Sequence, residues 1–189
     1  MGWNLCTDKV HDYAWQVDVF NKDECKKIIQ LQNTLEKCEA KTFSKIKNYY
    51  RQKTNLYWIS VNSETNWIYK RLASSIFYLN EKYFQFDISA INESLQLTHY
   101  HGQGARYKKH IDRRLDMSVR KLTASIQLSE PTDYEGCDLK MYFEEEPTIA
   151  KRDIGSLTLY PSWTLHEVSE LKKGERHSLV CWVTGKQFL

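Results

Sequence analysis

The strongest constraint on what this chain can fold into is a change in its apolar pattern after Tyr83. From there on, β-branched and aromatic residues come in short runs that are separated by turn signals such as Gly102-Gln103-Gly104 and Lys173-Gly174. Runs of this length and composition are typical of β-strands. The predicted strands cover about residues 84–88, 94–100, 106–110, 121–128, 138–143, 156–160, 164–169 and 177–183. A succession of such short strands predicts a double-sheet jelly roll.

The N-terminal part of the chain favours helices instead. Asn21 and Glu24 have the spacing of a capping box, and the apolar stripe that follows predicts a helix near residues 22–38. A second apolar repeat at helical spacing predicts another helix that ends at Tyr83. Short strands are predicted near residues 15–20 and at 57–59.

We therefore predict an α+β fold, mainly β, with a double-stranded β-helix (jelly-roll, cupin-like) core and two N-terminal helices packed on one sheet. The 189 residues fit a single domain, 1–189. In it, a helical support of about residues 15–83 precedes a jelly-roll core of about residues 84–185.

Composition excludes several classes of protein. A net charge of +3 gives no general attraction to nucleic acid or membranes. The five cysteines are scattered without paired spacing, which argues against a disulfide scaffold and for a reducing compartment. No apolar run approaches the length of a membrane span. We expect a cytoplasmic protein that is a monomer or a weak dimer.

The residues His110, Asp112 and His166 suggest a metal site. His110 and Asp112 are two positions apart, so an extended chain points both side chains to the same face. A distant strand that delivers His166 would complete a set of two imidazoles and one carboxylate. Non-haem Fe(II) oxygenases use this set and leave the opposite face of the metal open. Zinc competes on ligand type alone, although its catalytic sites keep a single open position.

Two further residues could hold a carboxylate-bearing co-substrate near such a metal. Arg176 follows His166 by ten residues, and a guanidinium grips a carboxylate with two parallel hydrogen bonds. Tyr100 precedes His110 by ten residues and could add a phenolic hydrogen bond.

With these residues in place, the chain resembles the 2-oxoglutarate- and Fe(II)-dependent dioxygenases, in particular the prolyl 4-hydroxylase-like branch with the PKHD-type hydroxylases of bacteria and phages. The resemblance covers roughly residues 94–185. It is carried by the stretches LTHYHGQGARYKKHID, DMSVRKLTASIQLSEPTDYEGCDLKMY and DIGSLTLYPSWTLHEVSELKKGERHSLVCW. One departure is Gly136-Cys137-Asp138-Leu139, where the family pattern is Gly-Gly-Glu-Leu.

The resemblance implies His110, Asp112 and His166 as iron ligands, and Arg176 with Tyr100 as partners of the distal carboxylate of 2-oxoglutarate. It implies further site residues near the co-substrate or the substrate. These are Tyr107, Thr123, Gln127 and Trp182.

The reaction that the resemblance implies consumes 2-oxoglutarate and O2 at Fe(II), with ascorbate as a reductant, and yields succinate, CO2 and a hydroxylated substrate. A prolyl residue in a protein or peptide is the expected substrate. Lysyl residues or a free amino acid are alternatives, and an inactive binding module on the same fold is the alternative of another class. Nucleic acid is disfavoured because Trp182 stands where related demethylases have a second arginine.

A basic cluster surrounds the first two metal ligands in the sequence. Its residues could steer an acidic partner, or they could form a solvated rim. They are Lys108, Lys109, Arg113, Arg114, Arg120 and Lys121.

Overall fold

A computed structural model describes residues 11–38, 51–113 and 119–186, with the backbone alone for Arg51 and Gln52. The described chain is mainly β, with two α-helices. Helix α1 is Lys22–Gln30 and α2 is Asn66–Leu79. The strands are β1 Ala14–Gln16, β2 Arg51–Gln52, β3 Thr54–Ile59, β4 Ile88–Ala90, β5 Leu95–His101, β6 Arg106–His110, β7 Arg120–Gln127, β8 Tyr134–Gly136, β9 Leu139–Tyr142, β10 Thr148–Ile149, β11 Leu157–Pro161, β12 Leu165–Val168 and β13 Leu171–Gly185.

The strands form two antiparallel sheets. The larger has the order β1-β11-β7-β13-β5-β3, and β4 and β8 also pair with β13. The smaller has the order β10-β9-β12-β6-β2. Strand β7 is central, and all eight of its residues are buried.

Two apolar clusters hold these elements together. One joins side chains of α1 and α2, such as Ile28 and Leu72, to the larger sheet. The other draws on both sheets, with Tyr100 and Tyr160 from the larger one and Met141 and Val168 from the smaller one. Burial of apolar surface in both clusters is the main favourable contribution to folding. In the described ranges, no helix is long and apolar enough to cross a membrane.

The first predicted helix is shorter than its apolar stripe indicates. The capping box is present, since Asn21 Oδ1 accepts from the Glu24 N–H and Glu24 Oε2 accepts from the Asn21 N–H, both at 2.9 Å. After α1, the chain makes one 3-10 turn and then leaves the helix at Thr34. Cys38 is already paired with Leu56 of β3, so a helix that reaches residue 38 was wrong.

The strand predicted at 84–88 was also wrong. Helix α2 continues as a π-helical turn over Asn80–Phe84, which Gln85 ends with a φ of 54°. The Asn80 side chain then makes two hydrogen bonds to the backbone of Phe86, at 3.0 and 3.1 Å. This local bonding replaces a strand ladder, and β4 begins only at Ile88.

Two other predictions need correction. The strand near 15–20 is confined to β1, because Asp18 has a φ of 55°. The turn at Lys173-Gly174 does not form, and both residues belong to β13 and pair with β8. In addition, β1 and β3 are strands of the larger sheet, so the N-terminal part is not a helical support alone.

Candidate metal and co-substrate site

His110 and His166 meet because β6 and β12 are neighbours in the smaller sheet. The two residues are direct register partners, and their ring centroids are 4.2 Å apart. Asp112 lies two residues beyond β6. Its Oδ1 atom is 3.5 Å from His110 Nε2, and its Oδ2 atom is 3.6 Å from His166 Nε2. The structure thus brings the three predicted ligands together.

Both histidines turn their Nε2 atom towards the centre of this triad. His110 Nδ1 lies 2.7 Å from the Lys108 carbonyl oxygen, and His166 Nδ1 lies 2.9 Å from the Thr164 carbonyl oxygen. A carbonyl only accepts hydrogen bonds, so each Nδ1 carries a proton, and Nε2 is the ring nitrogen that faces Asp112 and can bind a metal. Backbone carbonyls fix metal-ligating histidines in this way.

The charge state of Asp112 suits the same purpose. Burial alone would raise the pKa of Asp112, but His166 and His110 outweigh that effect and hold the pKa below its usual range. The Thr123 hydroxyl also donates to Oδ2 at 3.0 Å, which favours the ionised carboxylate. Asp112 is therefore ionised, as a carboxylate ligand of a metal must be.

This donor set fits one divalent cation. All three ligand atoms lie within 4.8 Å of one another, and atoms that bind one ion at about 2.1 Å are themselves separated by roughly 3 to 3.5 Å. Two nitrogens and one carboxylate oxygen on one side of a metal leave the remaining positions to other ligands, as non-haem Fe(II) sites require.

Arg176 provides the positive charge on the other side of the site. It lies on β13 opposite Tyr100 of β5, and it is buried. Its Nε donates to Gln127 Oε1 at 2.9 Å, while the buried Nη1 has no hydrogen-bond partner among the described residues. A buried donor of this kind is costly unless a ligand binds it. A carboxylate would supply the missing acceptor.

One cavity connects the triad with Arg176. It encloses about 380 Å³ of empty space, part of which is open to solvent. Of the residues predicted from the sequence, it is lined by Tyr100, Tyr107, His110, Asp112, His166, Arg176 and Trp182. Thr123 and Gln127 are outside this lining, but they contact Asp112 and Arg176 through hydrogen bonds.

Aromatic rings surround the triad. Tyr107 stacks on His110 with ring centroids 3.7 Å apart, and Tyr160 lies 5.0 Å from the His166 ring. Burial raises the pKa of Tyr160, and the nearby Asp112 carboxylate adds to the effect, so the phenol stays neutral. The guanidinium of Arg120 lies 4.0 Å above the Trp182 ring.

Several cavity residues were missed from the sequence. They are Gln96, Ser125, Leu139, Tyr160, Val168, Ser178 and Val180. Strand alternation could have identified part of this set, since Ser178, Val180 and Trp182 share the face of Arg176 on β13. Alternation from Thr123 likewise identifies Ser125.

The basic cluster is not a uniform rim. Arg120 is buried, with Nε 2.6 Å from Glu93 Oε1 and Nη1 3.1 Å from the Asp112 carbonyl oxygen, and Lys121 is buried as well. Lys109 and Arg113 are exposed, and Arg114 falls outside the described residues.

The departure at Gly136-Cys137-Asp138-Leu139 lies beside Arg176. Cys137 is fully buried with a φ of 55°, and burial raises the pKa of its thiol. Asp138 Oδ1 is 3.4 Å from Arg152 Nη1. Asp138, Arg152 and Arg176 line a second, smaller cavity.

Residues 95–184 match the sequence model of the 2OG-Fe(II) oxygenase superfamily. This segment includes the whole triad and Arg176. This segment is therefore similar to proteins of that superfamily. This similarity points to Fe(II), 2-oxoglutarate and O2 as the cofactor and co-substrates, and the triad geometry agrees with this set.

Curated relatives match over a similar share of the chain. A PKHD-type hydroxylase of Prochlorococcus marinus (strain NATL2A) is 38% identical over 81 residues, which are 42% of this chain and 37% of the relative. One from Parvibaculum lavamentivorans is 40% identical over 90 residues, 43% of this chain and 37% of the relative. The chain thus spans little more than a third of the length of these relatives.

Solved structures show a similar fold over nearly the whole chain. A Pseudomonas putida prolyl-4-hydroxylase has a TM-score of 0.70 with 19% identity and covers 94% of both chains. A Trichoplax adhaerens prolyl hydroxylase, solved with a hypoxia inducible factor peptide fragment, has a TM-score of 0.75 with 16% identity and covers 92% of this chain and 84% of its own. At these identities, the likeness concerns the fold.

Proposed function

We propose that this protein is an Fe(II)- and 2-oxoglutarate-dependent dioxygenase that hydroxylates a prolyl residue in a protein or peptide. The placement of the triad and of the buried Arg176 in one cavity supports this function most strongly. A metal triad alone would fit several chemistries. The unpartnered Arg176 Nη1 atom adds the demand for an anionic co-substrate.

Each residue has a role in this proposal. His110, Asp112 and His166 hold the metal, and Arg176 binds the distal carboxylate of 2-oxoglutarate, with Tyr100 beside it. Bound Fe(II) supplies the activation of O2 that couples decarboxylation of 2-oxoglutarate to hydroxylation. The chain itself positions the reactants and shields them from water.

The cavity rings contribute to that shielding. Tyr107, Tyr160 and Trp182 surround the triad with aromatic surface. Water-excluding walls strengthen the electrostatic hold of Arg176 on a carboxylate, because the local dielectric is low.

The apolar surroundings favour a prolyl substrate. The rings of Trp58 and Trp182 have centroids 6.1 Å apart, and Trp182 lines the cavity. Trp58 is exposed, as are Ile111 and Trp163, which lie close to His110 and His166 in the sequence. A pyrrolidine ring offers an apolar face that aromatic side chains can cover. The curated relatives are named hydroxylases, which supports hydroxylation as the reaction, and the solved structures of similar fold include prolyl hydroxylases.

We also infer a single domain with a double-stranded β-helix core and both helices on the larger sheet. The apolar cluster that α1 and α2 share with β5, β7, β11 and β13 supports this arrangement. The likeness to prolyl hydroxylase folds over more than nine-tenths of the chain agrees with it.

Two measurements test the function. Purified protein that is loaded with Fe(II) should convert 2-oxoglutarate to succinate, and mass spectrometry should show one added oxygen atom on the proline of a responsive peptide. Metal and 2-oxoglutarate binding without succinate would indicate the inactive binding module. Oxygen gained by lysine or by a free amino acid, and not by proline, would replace the prolyl substrate.

A further inference from the structure

We propose that Thr123 and Ser162 are positioning residues that orient the Asp112 carboxylate towards the metal through a chain of hydrogen bonds. This proposal rests on the proposed function, since it gives Asp112 the role of a metal ligand. It assigns a task to two hydroxyl groups that lie outside the cavity lining.

Asp112 needs such support because no sheet ladder holds it. Strand β6 ends at His110, and the next residue, Ile111, is exposed. The backbone is instead fixed by Ser162, whose carbonyl oxygen accepts hydrogen bonds from the N–H groups of Asp112 and Arg113, each at 2.9 Å. These bonds place the backbone but leave the rotation of the carboxylate free.

The hydroxyl pair restricts that rotation. Thr123 Oγ1 donates to Asp112 Oδ2 at 3.0 Å, and Thr123 Oγ1 and Ser162 Oγ are also 3.0 Å apart. A hydroxyl has one proton, and an ionised carboxylate only accepts. The Thr123 proton therefore points to Asp112, and the Ser162 proton must point to Thr123. Hydrogen bonds in such a chain polarise and strengthen one another.

Both hydroxyl groups belong to buried parts of the larger sheet or its immediate continuation. Thr123 lies in the central strand β7, opposite Tyr160 of β11, and Ser162 directly follows β11. Both residues are completely buried. The larger sheet thus orients the carboxylate ligand, whereas the smaller sheet supplies the two imidazoles.

The hydrogen bond from Thr123 also determines which lone pairs of the Asp112 carboxylate are available to a metal. With one lone pair of Oδ2 occupied by Thr123, the carboxylate is held with a defined edge towards His110 and His166. A carboxylate that is fixed before the metal binds loses less conformational entropy on binding. Removal of partners behind the ligands of a metal site commonly weakens metal affinity about ten- to a hundredfold.

The experiment measures metal binding on the whole chain by titration calorimetry with Co(II) and by the electron paramagnetic resonance spectrum of bound Mn(II). T123V removes the hydroxyl and keeps the branched shape, T123S keeps the hydroxyl, and S162A removes the outer link alone. Thr158 of β11 is equally buried and outside the triad cavity, so T158V is the matched control.

We expect T123V to bind Co(II) about ten- to a hundredfold more weakly than the wild type and to change the Mn(II) spectrum. S162A should lose a smaller factor, because Thr123 can still donate to Asp112, and T123S should retain most of the affinity. T158V should bind as the wild type does. If T123V does not fold, S162A decides.

Wild-type affinity in T123V, or in S162A where T123V does not fold, would overturn the proposal, as would an equal loss in T158V. The outcome is independent of turnover. Metal binding that responds to Thr123 without any succinate would reject the proposed function and keep the positioning role. Succinate formation by the wild type, together with unchanged metal affinity in T123V, would support the proposed function and reject the positioning role.

Discussion

The tautomers of His110 and His166 decide what the triad can bind. Because backbone carbonyls accept from both Nδ1 atoms, both Nε2 atoms are left to bind at the same point as the Asp112 carboxylate. A salt bridge would need a protonated ring here, and a cation satisfies all three groups at once. Arg176 has the opposite requirement, because its buried Nη1 donor has no hydrogen-bond partner among the described residues and could bind an anion.

Replacement of Arg176 by lysine should weaken co-substrate binding. Lysine keeps the charge but loses the two-pronged geometry and the Nε bond to Gln127. Since a hydrogen bond to a charged group is worth about 1.5–3 kcal/mol, the KM for 2-oxoglutarate should rise about tenfold or more.

Steady-state kinetics with varied 2-oxoglutarate measure this effect. R71K is the matched control, because Arg71 pairs with Glu24 of α1 at 3.1 Å and is not a cavity residue. An unchanged KM in R176K would remove Arg176 from the co-substrate site.

The residues that could bind the metal and the co-substrate were predictable from the sequence, but the hydroxyl groups that orient Asp112 were not. Imidazole and carboxylate groups are common metal ligands and a guanidinium binds carboxylates, so the residue types alone indicated roles for His110, Asp112, His166 and Arg176. Hydroxyl groups such as those of Thr123 and Ser162 occur throughout the chain, so only the packing of β7 against the end of β11 distinguishes this pair.

At the scale of elements, β13 is the strand that connects the most neighbours in the described sheets. It pairs with β5 and β7 along the larger sheet and with β8 at its start. The sequence placed a turn at Lys173-Gly174 because glycine after lysines is a common turn signal. Gly174 has another use, since its φ of 76° and its close approach to Asp133 leave no room for a side chain.

G174A should therefore destabilise the fold more than G104A. An added methyl group at Gly174 would overlap the Asp133 carbonyl, whereas at Gly104, with a similar φ of 84°, it would meet nothing within 4 Å. We expect G104A to cost about 1–2 kcal/mol for the left-handed backbone alone, and G174A clearly more. Urea unfolding measures both, and equal losses would contradict the close approach.

A histidine pair between β5 and β13 should make stability depend on pH. His177 stacks on His99 with centroids 4.1 Å apart. Burial, and then the charges of His99 and Arg176, lower the pKa of His177 from 6.5 to about 3. The folded state therefore keeps His177 neutral while the unfolded chain binds a proton, so stability is lost as the pH falls from 6.5 towards 3.

H177F keeps the stacked ring and removes the titration. Its free energy of unfolding should fall less than that of the wild type between about pH 7.5 and pH 5, by roughly 1–2 kcal/mol. Urea titrations at both values measure the difference, and H11F controls for a histidine that lies elsewhere. Parallel losses in H177F and the wild type would show that His177 does not titrate in this way.

The mainly β fold class was predictable because short apolar runs are separated by turn signals in the sequence. The boundaries of the individual elements were less predictable. Asn80 shows why: its side chain bonds to the Phe86 backbone and carries a π-helical turn into an aromatic run that reads as a strand. The contribution of β1 and β3 to the larger sheet depends on pairings with β11 and β5 that lie far away in the sequence.

At the scale of the whole molecule, the site depends on both sheets. The smaller sheet supplies His110 and His166, and the larger sheet supplies Arg176, Tyr100 and the hydroxyl that orients Asp112. The cavity between them is bounded by residues from both. The proposed function accounts for this arrangement, because it needs a metal on one side of the cavity and an anionic co-substrate on the other.

The most direct test of this account is turnover of 2-oxoglutarate under isotopically labelled O2. We predict that the Fe(II)-loaded protein releases CO2 and succinate in equal amounts, that succinate carries one labelled oxygen atom, and that H166A does neither. Unlabelled succinate, or equal yields from H166A and the wild type, would contradict a dioxygenase centred on His110, Asp112 and His166.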